Sequence, residues 1–331
     1  MDFLRYVQWY NRIGNCESRS TSAAECEYGY LGLPMSIDAA NMLESFDATD
    51  WIIGGDAMLR GRALEALENG KVLFFPRLGF TLEDSERRFL APEWVDGKSK
   101  NISYNPRTGE LRGSRCTGDA RRDLTVLMAR YCDRAQAFVN DLLPRYAPAL
   151  EAGRTSFRPV EVTGRPGSYK KDDRRLHVDA FPSQPVQDKR ILRLFTNVNP
   201  DGRPRVWNLG EPFEPFARAF LPRTSSPWPG SGWLLQRLGI TRSRRTRYDA
   251  LMLQLHDRAK GDERYQRHAF KTRIAFPPGS SWMVFTDQVL HAALAGQYLF
   301  EQTFYLPVHA MQAPERSPLK VLERLSGNAL V

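Results

Sequence analysis

The chain has 331 residues, 42% hydrophobic and 26% charged, with a formal net charge of +9. That composition suits a soluble globular protein of one large domain or two at roughly 150 residues each, and no apolar run approaches the about 18 residues of a membrane span. Its four cysteines, Cys16, Cys26, Cys116 and Cys132, form no C-x-x-C pair, which argues against a zinc knuckle or a disulfide framework.

The opening MDFLRYVQWYNRIGNCESRS has no charged start followed by an apolar core and a small-residue cleavage site, so no export signal is read and a cytoplasmic location is expected. Residues 1–50 lack periodicity and read as a poorly defined N-terminal arm; residues 51–331 read as a single domain. From residue 58, Leu59, Leu64 and Leu67 predict a short helix ended by Asn69-Gly70, because Gly tolerates a left-handed cap. KVLFF then reads as a buried strand stopped by Pro76. Over 119–143, Leu124, Leu127, Met128, Tyr131, Ala135, Phe138, Val139 and Leu142 recur at helical spacing, and Pro144 closes the run.

From about 158 to 308 the texture changes. RPVEVTG, ILRLFTNVN, SSWMVF and YLFEQTFYLPV read as short strands separated by turn clusters such as NPDGRPR, the pattern of a sandwich or jelly roll. Residues 228–265 read as a helical insertion. The tail SPLKVLERLSGNALV predicts a last helix with Ser317 as N-cap, Pro318 at the first position and Gly327 past the end. The expected fold class is therefore α+β: a double-stranded β-helix (jelly roll, cupin-like) core flanked by helices.

The positive charge is localised. Residues 221–248 hold Arg223, Arg237, Arg242, Arg244, Arg245 and Arg247 and no acid, which points to an anionic partner. Aromatics there are few and no nucleic-acid motif is present, so no nucleic-acid partner is expected.

RRLHVDAFPS, residues 174–183, holds His177 and Asp179 two positions apart, and on a strand that spacing puts both side chains on one face. A non-heme iron(II) oxygenase needs two histidines and one carboxylate on one face of its metal. Of the later histidines, His256 falls in the helical insertion, His268 in a charged turn and His309 at the end of the last strand, too late for the distal ligand. His291 follows the strand and turn PGSSWMVFTDQVL and is the candidate third ligand. H-x-D arises by chance, so on spacing alone two separate structural histidines stand as the alternative.

RRLHVDAFPS, ILRLFTNVNPDGRPRVWNLGEPFE, LMLQLHD and FTDQVLHAALAGQYLFEQTFYLP together resemble the 3-deoxy-D-manno-oct-2-ulosonic acid (Kdo) 3-hydroxylases, from about residue 55 to the C-terminus. The resemblance implies an iron(II)/2-oxoglutarate-dependent dioxygenase that uses O2 to hydroxylate C3 of a Kdo sugar on lipid A, with His177, Asp179 and His291 as catalytic metal ligands. Related oxygenases place an arginine about ten residues after the distal histidine for the far carboxylate of 2-oxoglutarate, but Glu301 and Gln302 stand there. Arg193, in the apolar strand ILRLFTN, is the expected anchor, with Arg205 as fallback and a structural ion pair as the alternative role. Thr196, Asn197 and Gln302 are lesser cosubstrate candidates. For the substrate, Tyr169, Arg244 and Arg245 are the candidates. With Trp228, Trp233 and Leu234, the arginine segment is suited to rest on an anionic inner-membrane surface, a solvated basic face being the alternative. Competing functions are a 2-oxoglutarate oxygenase for another acidic sugar or small molecule, and a jelly-roll binding protein without turnover. A halogenase is disfavoured because Asp179 supplies the carboxylate.

Overall fold

The structure is a computed structural model that describes residues 42–163, 168–228 and 230–331. An eight-stranded sheet has the order β1-β2-β9-β6-β11-β5-β3-β4, and a smaller sheet has the order β10-β7-β8. The strands are β1 (Leu43–Ser45), β2 (Val72–Phe75), β3 (Ile102–Asn105), β4 (Glu110–Arg112), β5 (Glu151–Arg158), β6 (Lys189–Asn197), β7 (Arg205–Leu209), β8 (Thr272–Phe276), β9 (Ser281–Phe285), β10 (His291–Ala295) and β11 (Leu299–Pro307). All pairings are antiparallel except that of β1 with β2.

Strand alternation sorts the core into layers. On one face of the large sheet, Leu192, Leu194, Phe300 and Phe304 pack against helix α2 (Gly118–Leu142) through Leu127, Tyr131, Phe138 and Val139. Helix α1 (Ala57–Glu68) joins this layer through Ala63, Ala66 and Leu67. The other face presents Phe74, Phe195, Trp282 and Val284 to Trp207, Leu209, Ile274 and Phe276 of the small sheet. This is the jelly-roll arrangement, two sheets closed on one apolar interior.

The insertion lies between β7 and β8 and begins earlier than its sequence signal. It holds α3 (Phe213–Phe220), α4 (Ser231–Arg237), α5 (Arg247–Gly261) and α6 (Glu263–His268), and α7 (Pro318–Ser326) packs on it. Thr246 caps α5 in a reciprocal capping box with Asp249. Leu176, Val178, Leu290 and Ala292 join this helical cluster, so the two segments carrying the expected ligands pack against the insertion, the second of them as β10 of the small sheet. No helix among the described residues is long and apolar enough to cross a membrane.

Two expectations need correction. The strand read at RPVEVTG ends where it was expected to begin: β5 closes at Arg158, and residues 159–163 are irregular. The sheet also reaches well before residue 158, because β1, inside the expected arm, pairs with β2. Residues 1–41, with Cys16 and Cys26, lie outside the described residues; Cys116 and Cys132 are free and buried.

Candidate active site

His177 and His291 face each other across an isolated antiparallel bridge. His177 N–H donates to His291 O at 3.1 Å, and His291 N–H donates to His177 O at 2.9 Å. The two imidazoles are 4.6 Å apart. Each ring donates its Nδ1 proton to a carbonyl two residues back, His177 to Arg175 O at 2.7 Å and His291 to Val289 O at 2.8 Å. That bond fixes the tautomer and leaves both Nε2 lone pairs available to a ligand. Asp179 closes the group. Its backbone N–H donates to Thr286 O at 2.8 Å, its Oδ1 lies 3.8 Å from His177 Nε2, and no hydrogen bond reaches its Oδ2 within the described residues. One donor atom from each of His177, Asp179 and His291 lies within 4.8 Å of the others. Two neutral imidazole nitrogens and a carboxylate whose Oδ2 makes no hydrogen bond and is faced by Arg193 at 3.2 Å are a donor set that fits a divalent ion with open positions.

The walls are built by strand parity. Arg193 and Phe195 on β6, Arg205 and Trp207 on β7, and Leu299 and Glu301 on β11 turn inward, joined by Arg158, Lys100, Asn101, Asp173, Phe181 and Ala293 around a cavity of about 210 Å³. Trp207 stacks on His291 at 5.1 Å between centroids. Arg193 Nη1 lies 3.2 Å from Asp179 Oδ2 and 3.3 Å from Glu301 Oε1. Arg158 donates Nε and Nη2 to Glu301 Oε2 at 3.0 and 2.8 Å. Arg205 Nη1 donates to Gly296 O at 2.7 Å. The glutamate at the position where an arginine is usual thus bridges two arginines from neighbouring strands. Four cations and three carboxylates line the cavity, so one positive charge is in excess before any metal binds.

Several sequence candidates lie elsewhere. Thr196 and Gln302 point to the opposite face of the sheet, where Thr196 meets Tyr131 Oη at 3.1 Å and Ser281 Oγ at 2.7 Å, and Gln302 Oε1 accepts from Thr155 Oγ1 at 2.5 Å. Their neighbours Arg193, Phe195 and Glu301 face the cavity, and adjacent strand residues cannot share a face. Asn197 organises the turn after β6, donating to Phe276 O at 3.0 Å and accepting from Asn199 N–H at 3.0 Å. Tyr169, on a short 3-10 turn, packs over Gly261 outside the cavity. Arg244 and Arg245 lie in the loop between α4 and α5, also outside it. That loop is tied to the segment after Asp179: Arg242 N–H donates to Ser183 O at 3.0 Å, Arg245 reaches Pro182 O, and Gln187 Nε2 donates to Arg244 O at 3.2 Å.

Sequence reasoning missed Arg158 and Trp207 in the cavity wall and one residue of the insertion that touches a candidate ligand. His256 on α5, set aside as a helix residue, meets His177 edge-on at 5.3 Å.

Burial sets the charge states. It pushes the His177 imidazole well below its ordinary range, with the adjacent His291 acting the same way, and it lowers His291 too. Burial pushes Asp179 and Glu301 up, but Arg193 beside the first and Arg158 and Arg193 beside the second more than offset it, and both titrate below the usual carboxylate range. As the pH falls below about 6.5, the unfolded chain therefore takes up protons that the native histidines refuse. Below about 4 the two carboxylates add a loss of the same sign. The metal-free protein is expected to show a lower urea midpoint at pH 5 than at pH 7.5; an equal or higher midpoint at pH 5 contradicts this electrostatic description.

The model of the 3-deoxy-D-manno-oct-2-ulosonic acid (Kdo) hydroxylase family matches residues 54–329. Among solved structures, the Kdo hydroxylase KdoO, described as a non-heme Fe(II) alphaketoglutarate dependent dioxygenase, is similar in its complex with alphaketoglutarate and Fe(III): 48% identity, TM-score 0.85, covering 88% of this chain and 97% of that one. Its apo form shows 49% identity and TM-score 0.85 over 88% and 97%, and its complex with succinate and Fe(III) 48% and 0.84 over 87% and 97%. No curated protein sequence matches. A sequence resemblance, a family match over most of the length and a superposable jelly roll lead to one conclusion: this chain is an enzyme of the Kdo hydroxylase family.

Proposed function

We propose that His177, Asp179 and His291 hold iron(II), and that the protein hydroxylates C3 of Kdo in Kdo-lipid A or a precursor of it. The observation that carries the reading is the pair of imidazoles whose Nδ1 protons are tied to backbone carbonyls, beside a carboxylate with one oxygen that accepts no hydrogen bond. Iron(II) bound there supplies the oxygen-activating chemistry by which one atom of O2 enters a C–H bond as hydroxyl and the other enters 2-oxoglutarate, which leaves as succinate and CO2.

The chain's own residues do the rest. Arg193, Arg205 and Arg158 form the cationic wall to which the far carboxylate of 2-oxoglutarate is assigned, since an arginine fork matches a carboxylate in two-point geometry. The expected ion-pair role and the cosubstrate role of Arg193 are compatible, because its link to Asp179 also orients that ligand. Phe195, Trp207 and Leu299 keep the cavity poor in water, which strengthens every charge contact inside. Succinate release that requires iron(II), 2-oxoglutarate and a Kdo-bearing acceptor tests the reading. Release independent of every Kdo acceptor tried overturns the substrate assignment.

The substrate's lipid anchor gives the exposed end of the insertion a role at an anionic bilayer. Trp228, Trp233, Leu234, Leu238 and Ile240 are all more than half exposed within one stretch, and Arg237 lies over the Trp233 ring at 5.4 Å. Arg242, Arg244 and Arg247 are exposed beside them. Interfacial aromatics with flanking arginines are the chemistry of a peripheral anchor, each basic residue near the surface contributing about 1 kcal/mol. The double change Arg244→Glu/Arg245→Glu is expected to weaken binding to phosphatidylglycerol vesicles roughly 30-fold or more, with iron and 2-oxoglutarate binding intact. Unchanged vesicle binding and turnover contradict the anchor.

A further inference from the structure

The small sheet packs on β2, β9 and β6 and reaches β11 only at Leu299. Beyond the cavity the same face of the large sheet continues across β5, β3 and β4 and turns polar. Arg158 on β5 and Asn101 just before β3 line the cavity. Two residues further along each strand, Ser156 and Ser103 lie opposite one another, and Ser156 lies opposite the inward-facing Glu301. Residues directly opposite share a face, so this row belongs to the cavity side. Arg112 is opposite Ser103 on β4, and Arg154 Nη1 donates to Ser103 Oγ at 3.3 Å. A third guanidinium comes from the insertion. Arg242 N–H donates to Ser183 O at 3.0 Å, and the next residue, Gln184, donates Nε2 to Tyr305 Oη at 3.0 Å. The Tyr305 ring covers Gly153 so closely that a Cβ there would fall 2.9 Å from it, which ties the Arg242 loop to the strand at Arg154. Three cations thus gather around one carboxylate. Glu110 accepts from Arg112 Nε at 2.7 Å and lies 4.0 Å from Arg154 Nη2. The Arg242 side chain makes no hydrogen bond or ion pair among the described residues. Burial, with Arg112 and Arg242 acting the same way, lowers the Arg154 guanidinium from its ordinary range. Like charges on a partly buried shelf are costly, and an anion bound there offsets the cost.

We infer that Arg154 and Arg242 bind a phosphate monoester of the lipid acceptor while its sugar occupies the cavity, an inference that rests on the function proposed above. The cluster has two positive charges in excess, and a phosphate monoester carries about −1.5 to −2 at pH 7, a closer match than a single carboxylate. Guanidiniums from two separate elements suit an anion with three exposed oxygens. Arg154 stands four residues along β5 from Arg158, about 13 Å at the roughly 3.3 Å rise of a strand. That places it beyond the sugar held at the metal ligands and beside the unit that carries the sugar. Arg242 adds a second constraint, since it follows Leu238 and Ile240 of the exposed apolar stretch. The phosphates of the acceptor likewise stand between its acyl chains and its Kdo.

The test uses de-acylated Kdo-lipid A, with its phosphates intact or removed, so that no membrane contact contributes. Its dissociation constant is measured by calorimetry on protein loaded with iron(II) and 2-oxoglutarate without O2, so that no turnover is needed. Arg154→Gln, which can keep the bond to Ser103, is expected to weaken binding of the phosphorylated form roughly 10- to 100-fold, the range of one charge-assisted hydrogen bond. Arg242→Gln, whose head is solvated, costs about 5-fold. Removing the phosphates weakens binding to the wild type by at least the Arg154→Gln factor and to the Arg154→Gln/Arg242→Gln protein hardly at all. The 2-oxoglutarate dissociation constant stays unchanged in every variant. Unchanged acceptor binding in both single variants overturns the inference. So does a phosphate-removal penalty equal in the wild type and the double variant, which would assign the shelf to another anion of the acceptor, or a matching rise in the 2-oxoglutarate constant. A wild type that binds the acceptor without O2 but leaves it unhydroxylated in air overturns the proposed function alone.

Discussion

Replacing Asp287 by Ala is expected to lower the free energy of unfolding by roughly 3–5 kcal/mol, the cost of leaving one member of a buried ion pair alone. Arg190 is wholly buried and donates Nε to Asp287 Oδ2 at 2.7 Å and Nη2 to Gln288 Oε1 at 2.7 Å, with its guanidinium 3.9 Å over the Phe285 ring. Asp287 and Gln288 lie in the turn between β9 and β10, and that turn serves the site directly. Its Thr286 O holds the Asp179 backbone, and its Val289 O holds the His291 ring. The same variant is therefore expected to lose metal affinity by about 10- to 100-fold, the usual effect of disturbing groups that orient ligands. The double change Arg190→Met/Asp287→Leu removes both charges and should regain most of the folding stability, but not the metal affinity. Urea denaturation with and without metal separates the two effects. A single variant as stable as the wild type, or a stable one with unchanged metal affinity, contradicts this role of the turn.

Arg193→Met is expected to raise the 2-oxoglutarate dissociation constant roughly 30-fold or more, the lower bound of the 2–5 kcal/mol lost when one member of a buried charge pair is truncated (about 1.4 kcal/mol per tenfold). Two losses combine. The cosubstrate carboxylate forfeits a guanidinium, and Asp179 and Glu301 are left facing each other without the cation 3.2 and 3.3 Å away. Arg205→Met probes the first loss from a second strand, where Arg205 Nη1 donates to the Gly296 carbonyl at 2.7 Å. It is expected to weaken 2-oxoglutarate with little change in metal affinity. If Arg193→Met alters only folding stability and leaves 2-oxoglutarate binding intact, Arg193 is purely a structural ion pair.

The parts of this site that were legible in the sequence are those fixed by local spacing. H-x-D and a histidine opening a later strand were visible as candidate ligands, although His177 makes only an isolated bridge to His291 and the expected strand around it does not form; Arg193 stood out as a charge in an apolar strand. Parity was the signal left unused. Thr196 and Gln302 sit next to inward residues, Phe195 and Glu301, and for that reason face the other layer. Arg158 was hidden because its strand was read as starting there, when β5 ends there and aims the side chain at Glu301. His256 was out of reach of spacing arguments. Only the docking of the insertion, through Leu176, Val178 and the α5 face, brings that helix against His177. The tie of β1 to β2 was similarly invisible, since a three-residue strand has too little pattern to read.

The most direct test is mass spectrometry of Kdo-lipid A incubated with the protein, iron(II), 2-oxoglutarate, O2 and ascorbate. The account predicts a product heavier by one oxygen, located at C3 of Kdo, with succinate formed in equal amount. It also predicts that both disappear in His177→Ala. Kdo-lipid A of unchanged mass under these conditions, or oxygen added equally well by His177→Ala, would contradict it.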